Sequence, residues 1–184
     1  MKVLITGSNG LLGQKLVYAL AGRADVEVVA TSKGANRIAK KDGYVYESLD
    51  ITNREEVFTV VQNHRPDCII NTAAMTNVDA CENDKPGCDA LNVNAVKYLT
   101  EACAGSSTHI IHLSTDFVFD GEAGPYKEED TPNPLSYYAS SKLESEKVVM
   151  HCGLDWAILR TIIIYGVVDD VQRSNVVLWT KSSL

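Results

Sequence analysis

The sequence has no apolar run near the roughly 18 residues that a membrane-spanning helix needs. It is also poor in basic residues, with 17 Lys and Arg against 24 Asp and Glu, for a net charge of −7. Nucleic-acid and anionic-membrane partners require clustered positive charge that offsets phosphates. We therefore expect neither nucleic acid nor a membrane as a partner. No secretory signal precedes the first apolar segment, so a cytoplasmic location is expected.

Cysteine and histidine show no spacing that is typical of a disulfide framework or a metal site. The five cysteines form no CxxC pair, which is typical of reduced thiols. We interpret Cys81 and Cys88, seven residues apart, as small buried hydrophobic residues. The four histidines show neither HExxH nor another ligand spacing, so no metal site is expected.

Short apolar runs alternate with helix-like stretches along the 184 residues, which predicts a parallel sheet with helices on both faces. The near-continuous apolar runs are typical of strands buried on both sides. Thr52 and Glu55 read as a capping box. Helices are expected to begin near Gly10, Thr52, Asp89, Ser136 and Ser174. The predicted strands are Lys2 to Thr6, Val26 to Ala30, Tyr44 to Leu49, Cys68 to Asn71, His109 to Ser114 and Trp156 to Thr161.

Gly7, Gly10 and Gly13 follow the first strand and open an apolar helix. Gly7 would permit a tight turn, Gly10 would let backbone amides approach a pyrophosphate, and Gly13 would let the helix sit close to the strand. The helix N-terminus would add partial positive charge. This arrangement predicts a dinucleotide site in a Rossmann-type, doubly wound α/β fold. The spacing GxxGxxG is one residue longer than the general fingerprint.

The second strand ends in Thr31, Ser32 and Lys33, with Arg37 nearby. Dinucleotide-binding folds that prefer NADH usually carry an acid at this point, which bonds the adenosine ribose. Hydroxyls and cations would instead accept a ribose phosphate. The segment therefore favours NADPH, with NADH as the alternative.

Tyr138 and Lys142 form a YxxxK motif in a helix-like segment, so that their side chains lie one turn apart. A cation about 4 Å from a phenol, at an effective dielectric constant of about 20, favours the phenolate by roughly 4 kcal/mol, or about three pKa units. We therefore expect Lys142 to lower the pKa of Tyr138. The polar segments after the third, fourth and fifth strands should converge on the same crevice, because ligands bind at the carboxyl ends of parallel strands.

Several longer segments carry a family resemblance: STDFVFDG from Ser114 to Gly121, PYKEEDTPNPLSYYASSKLESEK, LNVNAVKYL and ILRTIIIYG. Together with the glycine loop they make the chain resemble the extended short-chain dehydrogenase/reductases, and most of all the dTDP-4-dehydrorhamnose reductase branch. The resemblance implies reduction of a 4-keto nucleotide sugar. Tyr138 would donate the proton, Lys142 would assist it and bind the nicotinamide ribose, and Thr115 would hydrogen-bond the carbonyl oxygen.

The resemblance also implies which residues contact the ligands. For Asp116 a capping role is the alternative, for Asn94 a structural tie between helix and sheet, and for Met75 packing of the crevice wall. Substrate contacts are implied for Met75, Thr115, Asp116 and Arg160. Cofactor contacts are implied for Gly7, Gly10, Leu11, Leu12, Gly13, Thr31, Ser32, Lys33, Asp50, Ile51, Asn71, Ala73, Ala74, Thr76, Asn94, Ser114, Tyr138, Lys142 and Thr161.

Residues 1–184 are expected to form one cofactor-binding domain, and the resemblance implies that a C-terminal substrate-binding lobe is largely missing after Leu184. The chain alone should then bind dinucleotide and reduce a sugar nucleotide poorly. Two alternatives stay open: a non-catalytic regulatory subunit that retains the cofactor site, as in methionine adenosyltransferase, and an epimerase or dehydratase of the same superfamily. A homodimer is compatible with the sequence.

Overall fold

Six parallel strands form one sheet in this computed structural model, which describes residues 1–167, 169 and 180. Their order across the sheet is β3-β2-β1-β4-β5-β6. From β1 the chain adds β2 and β3 on one side and then β4, β5 and β6 on the other, so the order of strands reverses between β1 and β4. This is the predicted doubly wound Rossmann-type fold, in which ligands bind beyond the carboxyl ends of the strands at the reversal. The strands are β1 (Lys2–Thr6), β2 (Glu27–Ser32), β3 (Val45–Ser48), β4 (Cys68–Asn71), β5 (His109–Thr115) and β6 (Trp156–Thr161).

Helices cover both faces of the sheet, with α1 on one face and α2, α5 and α6 on the other. The predicted starts near Gly10 and Ser136 are confirmed, since these residues cap α1 and α6. The start predicted near Ser174 lies outside the described residues. The helices are α1 (Leu11–Ala21), α2 (Arg54–His64), α3 (Val78–Asn83), α4 (Lys85–Asp89), α5 (Ala95–Ala102) and α6 (Tyr137–Met150), with a π-helical turn at Ala90–Asn94 and a 3₁₀ turn at Asp116–Val118.

The helix start predicted near Thr52 is confirmed within two residues, but the capping box at Thr52 is wrong, and the start predicted near Asp89 misses two short helices before it. Asn53, not Thr52, caps α2, because its side chain accepts from the amides of Glu55 and Glu56 at 3.1 and 3.3 Å. The Thr52 hydroxyl donates instead to Asp50 Oδ1 at 2.6 Å. The helix expected near Asp89 is preceded by α3 and α4, whose caps Asn77 and Asp84 each accept from a backbone amide three residues on.

The strand centres supply the two cores. On one face Leu4 and Ile69, both fully buried, pack with Val57 of α2 and Leu99 of α5. On the other face Ile5 and the rest of a smaller cluster pack against α1. Burial on both sides holds for β1, β2 and β4, whereas the edge strands β3 and β6 are half exposed. None of the helices described in the structure is long and apolar enough to cross a membrane.

Candidate active site

The glycine loop is built so tightly that side chains are excluded from it. Gly7 has a φ of +69°, and a Cβ there would lie 2.8 Å from the Ala73 nitrogen. A Cβ on Gly13 would lie 2.3 Å from the Gly7 carbonyl oxygen, so α1 packs against the loop itself. Gly10 caps α1 without any side-chain hydrogen bond. The first-turn amides of α1 thus face outward from a helix N-terminus, an arrangement that favours an anion.

A cavity of about 420 Å³ opens at the carboxyl ends of the strands. It lies between the first turn of α1, the segment after β4, the end of β5 and the start of α6. The three predicted catalytic residues all line it. The predicted site residues on its wall are Leu11, Leu12, Ala74, Thr76, Ser114, Thr115, Asp116, Tyr138, Lys142 and Thr161.

Tyr138 reaches this cavity from the first turn of α6, where Ser136 caps the helix. Burial raises the pKa of its phenol above 10, and a hydrogen bond with the Thr115 side chain acts in the opposite direction. Lys142, the expected cause of a lowered pKa, is not among its principal influences. The direction of the Tyr138 pKa is therefore opposite to the expected one, because burial of the phenol dominates it.

Lys142 lies one turn further along α6 and is only 2% exposed. Burial lowers its pKa to about 8, although the Glu146 carboxylate and Cys88 act to raise it. Its Nζ lies 3.3 Å from Nε2 of His112, a buried side chain of β5. The lysine is thus held in a dry environment at the floor of the cavity.

The predicted ribose-recognition segment differs from expectation. Thr31 is fully buried and donates to the Ile5 carbonyl at 3.2 Å, so its hydroxyl faces the sheet rather than a ligand. Lys33 is exposed, and its Nζ lies 2.5 Å from Asp50 Oδ2. No acidic residue ends β2, but Asp50, which follows β3, places a carboxylate beside Lys33. Lys33 and Thr52 together lower the pKa of Asp50 to about 2. Ser32 is half-buried beside Lys33, while Ile51 is buried in the core.

Asn94 does not reach the cavity, because its side chain is exposed. The buried asparagine of this helix is Asn92, in the π-helical turn. Its side chain bonds both the amide and the carbonyl of Met75, at 2.8 and 3.1 Å, and lies 2.9 Å from Ser141 Oγ. Asn92 thus ties the segment after β4 to α6. The sequence signal was available, since Asn92 shares the buried face with Val96.

Other predicted site residues lie near the cavity rather than on its wall. Asn71 is buried, and its side chain forms hydrogen bonds with Thr6 and His112. Ala73 packs against Gly7. The substrate role implied for Met75 stays a prediction. Beyond the predicted set, the structure adds the wall residues Thr72, Val78, Leu113, Phe117, Ile162, Ile163 and Ile164.

Arg160 belongs to a second cavity of about 500 Å³, next to the first. Its guanidinium makes two hydrogen bonds to Glu146, at 3.0 and 2.7 Å, and lies 5.0 Å from the centre of the Phe119 ring. Asp116 lines both cavities and accepts from Thr115 at 3.2 Å. A substrate contact therefore stays a prediction for both residues, and for Arg160 it must compete with the Glu146 pair.

No group of three potential metal-ligating side chains occurs in the part of the chain that the structure describes. Cys68, Cys81, Cys88 and Cys103 are buried and, like the half-buried Cys152, free. Cys88 Sγ lies 3.3 Å from Ser141 Oγ, so it packs behind the cavity.

Comparison with known proteins assigns the family. The RmlD substrate binding domain family matches residues 1–178. The chain belongs to this family. It is 37% identical over 166 residues to a dTDP-4-dehydrorhamnose reductase of Aggregatibacter actinomycetemcomitans, covering 90% of this chain and 52% of that one. This member of the RmlD substrate binding domain family thus spans about half the length of that curated relative.

Two further similarities bear on the RmlD-type chain. It is 35% identical over 177 residues to methionine adenosyltransferase 2 subunit beta of Bos taurus, which covers 96% of this chain and 51% of that one. The crystal structure of a Bacillus anthracis dTDP-4-dehydrorhamnose reductase in complex with NADP matches with a TM-score of 0.78 and 29% identity. That match covers 98% of this chain and 58% of the other.

Proposed function

We propose that this chain is the cofactor-binding half of an NADPH-dependent reductase that acts on a 4-keto nucleotide sugar, of the dTDP-4-dehydrorhamnose type. One observation carries the proposal: Thr115, Tyr138 and Lys142 line one cavity together with Leu11 and Leu12 of the first turn of α1. A phosphate grip and an acid–base set therefore border the same space, as a hydride transfer to a carbonyl requires.

The residues present fit a dinucleotide. Gly7 and Gly13 let the loop and α1 pack closely, because a Cβ at either position would clash with backbone atoms, and the N-terminus of α1, which has no side-chain cap, offers amides to phosphates. Ser114 Oγ, on the cavity wall, is buried without a hydrogen-bond partner among the described residues. A buried hydroxyl without a partner is costly, and a ligand in the cavity would supply one. The NADP complex of the Bacillus anthracis relative supports NADPH as the cofactor.

In this proposal the nicotinamide, when bound, supplies the hydride. Tyr138 holds its proton at neutral pH, because burial raises its pKa, and so can donate it to the carbonyl oxygen as that oxygen becomes an alcohol. Thr115, on the same cavity wall, would hydrogen-bond the same oxygen. Lys142 lines the same cavity, where its amino group would hold ribose hydroxyls.

A second function is favoured by the similarity to methionine adenosyltransferase 2 subunit beta. In that alternative the chain binds dinucleotide as a non-catalytic regulatory subunit. The Tyr138, Lys142 and Thr115 set favours the reductase, but fold and site similarity alone do not separate a catalyst from a regulator.

The test is binding and hydride transfer by the chain with NADPH and dTDP-4-dehydrorhamnose. We expect NADPH to bind and its slow oxidation to fall by about 100-fold or more in Tyr138→Phe, the loss typical of a missing general acid. The matched control is Tyr137→Phe, whose hydroxyl donates to Asp89 at 2.7 Å instead of facing the cavity. Dinucleotide binding with a residual oxidation that Tyr138→Phe leaves unchanged would favour the regulatory subunit, and failure of the folded chain to bind dinucleotide would refute both functions.

A further inference from the structure

Three polar side chains form a row across the middle of the sheet, which we call the polar row. Thr6 on β1, Asn71 on β4 and His112 on β5 occupy matching register positions, and each is at most 2% exposed. Thr6 Oγ1 donates to Asn71 Oδ1 at 2.5 Å, and Asn71 Nδ2 lies 3.2 Å from His112 Nδ1. Buried polar groups in a sheet core carry a desolvation cost, which hydrogen bonds offset only when every member is satisfied.

The bonds in the polar row select one form of the histidine ring. An amide nitrogen only donates, so His112 Nδ1 accepts from Asn71 and the ring proton sits on Nε2. That Nε2 lies 2.9 Å from Ser145 Oγ, and the Ser145 hydroxyl donates in turn to the Lys142 carbonyl at 2.7 Å. Every donor in the polar row therefore points the same way, from β1 toward α6.

Lys142 meets this ring at the end of the polar row. Its Nζ lies 3.3 Å from His112 Nε2. Among the described residues, this ring nitrogen is the one protein atom within hydrogen-bonding distance of Nζ. A ring nitrogen that carries a proton cannot accept from an ammonium group. The other ionisable groups that face Lys142 are Tyr138 and Glu146 on α6 and Cys88 on α4.

Burial and the neighbouring lysine hold the pKa of His112 well below its usual range, so the ring is neutral at physiological pH. Burial likewise lowers the pKa of Lys142 to about 8, against the opposing effects of Glu146 and Cys88. The two groups thus sit together in a dry site that disfavours the charged form of each.

We propose that His112 is a positioning residue for Lys142: the polar row fixes its ring in the Nε2–H form, which denies the lysine an acceptor inside the protein. The amino group is then left available to a ligand in the cavity. The benefit to catalysis rests on the proposed function, whereas the state of the ring and the lysine is a property of the chain without substrate.

Nuclear magnetic resonance of the chain labelled with ¹⁵N-histidine and ¹³Cε-lysine tests this proposal without any turnover. The ring nitrogen shifts distinguish the two neutral forms, and only four histidines need assignment. Lys142→Arg assigns the lysine signal. We expect the Nε2–H form of His112 from pH 6 to pH 9 and a Lys142 signal that titrates near 8.

The variant His112→Asn retains an oxygen that can accept from Asn71 but has no group that reaches Lys142 or Ser145. We expect the pKa of Lys142 to rise by about one unit, because the variant removes the Nε2–H group, whose positive edge opposes the charged form of the neighbouring lysine. His109→Asn is the matched control, because His109 is half-buried on the same strand and pairs with Cys68 at the far end of the sheet. It should leave the Lys142 titration unchanged.

Two results would overturn the proposal. The first is an Nδ1–H or protonated His112 ring in the unaltered chain, which decides the matter even if the variant does not fold. The second is an unchanged Lys142 titration in folded His112→Asn. Absence of hydride transfer would bear on the proposed function alone, since neither measurement depends on it.

Discussion

Replacing Arg160 by methionine should destabilise the fold strongly, because it strands a carboxylate in the core. Glu146 is fully buried, and the Arg160 guanidinium that meets it through two hydrogen bonds is 19% exposed. The pair joins α6 to β6 beneath the cavity. Arg160→Met leaves Glu146 without this partner and removes the guanidinium that lies over the Phe119 ring, while the methionine retains most of the apolar stem of the arginine.

The expected cost follows from the burial of Glu146. Breaking a buried ion pair by removing one partner costs about 3–5 kcal/mol. The lower end is expected here, because Lys142, one turn away on α6, supplies part of the missing positive charge to Glu146. A loss of about 3 kcal/mol in a chain of this size lowers the melting temperature by about 6–12 °C.

Urea denaturation at pH 7 measures this loss through the midpoint and slope. The matched control is Lys147→Met on the same helix, whose partner Glu144 lies at 2.6 Å with both side chains more than half exposed. It should cost less than about 0.5 kcal/mol. The double variant Glu146→Leu with Arg160→Met should recover most of the loss, because an apolar pair replaces an ionic one at little cost. A single variant within 1 kcal/mol of the parent, or a double variant as unstable as the single, would refute the reasoning.

Two further predictions concern the dinucleotide site. Gly13→Ala should weaken NADPH binding by about tenfold or more, measured by fluorescence titration, because its Cβ would lie 2.3 Å from the Gly7 carbonyl, whereas Gly22→Ala, with nothing within 4 Å, should leave binding unchanged. Equal binding by both variants would contradict the tight loop. Lys33→Met should lower the affinity for NADPH about tenfold and that for NADH less than twofold. It should also raise the pKa of Asp50 from its value of about 2. The ionised Asp50 stabilises the fold above its unfolded pKa, and this stabilisation is lost as the pH falls toward 2. In Lys33→Met the stabilisation should therefore be smaller. An unchanged NADPH to NADH ratio would remove Lys33 from cofactor selection.

The sheet could be predicted from the sequence because each strand is an apolar run closed by a polar or glycine-rich segment. All six predicted strands are present, within a few residues of their predicted ends. Helix starts were less predictable where two capping residues stand side by side. Thr52 and Asn53 both suit a cap, and what decides between them is Asp50, which takes the Thr52 hydroxyl.

The parts of the site that lie in sequence motifs could be predicted, whereas the contacts between side chains of neighbouring strands could not. Tyr138, Lys142 and Thr115 come together because α6 is the next α-helix after β5 and begins beside the carboxyl end of that strand. The pairing of Lys33 with Asp50 arises from the side-by-side packing of β2 and β3, which single-strand patterns do not contain. Likewise, His112 looks like one polar residue in an apolar strand until register places it beside Asn71.

The pKa values of Tyr138 and Lys142, the two motif residues of α6, are shifted in opposite directions. Burial raises the pKa of Tyr138 above 10 and lowers that of Lys142 to about 8. A reduction consumes one proton at the carbonyl oxygen, so the acid must be protonated beforehand, as a buried phenol is at neutral pH. Once the phenol has given its proton away, transfer from a lysine of lower pKa to the phenolate is favourable. In the proposed reductase, Lys142, one turn further along α6, would then return a proton to the Tyr138 phenolate.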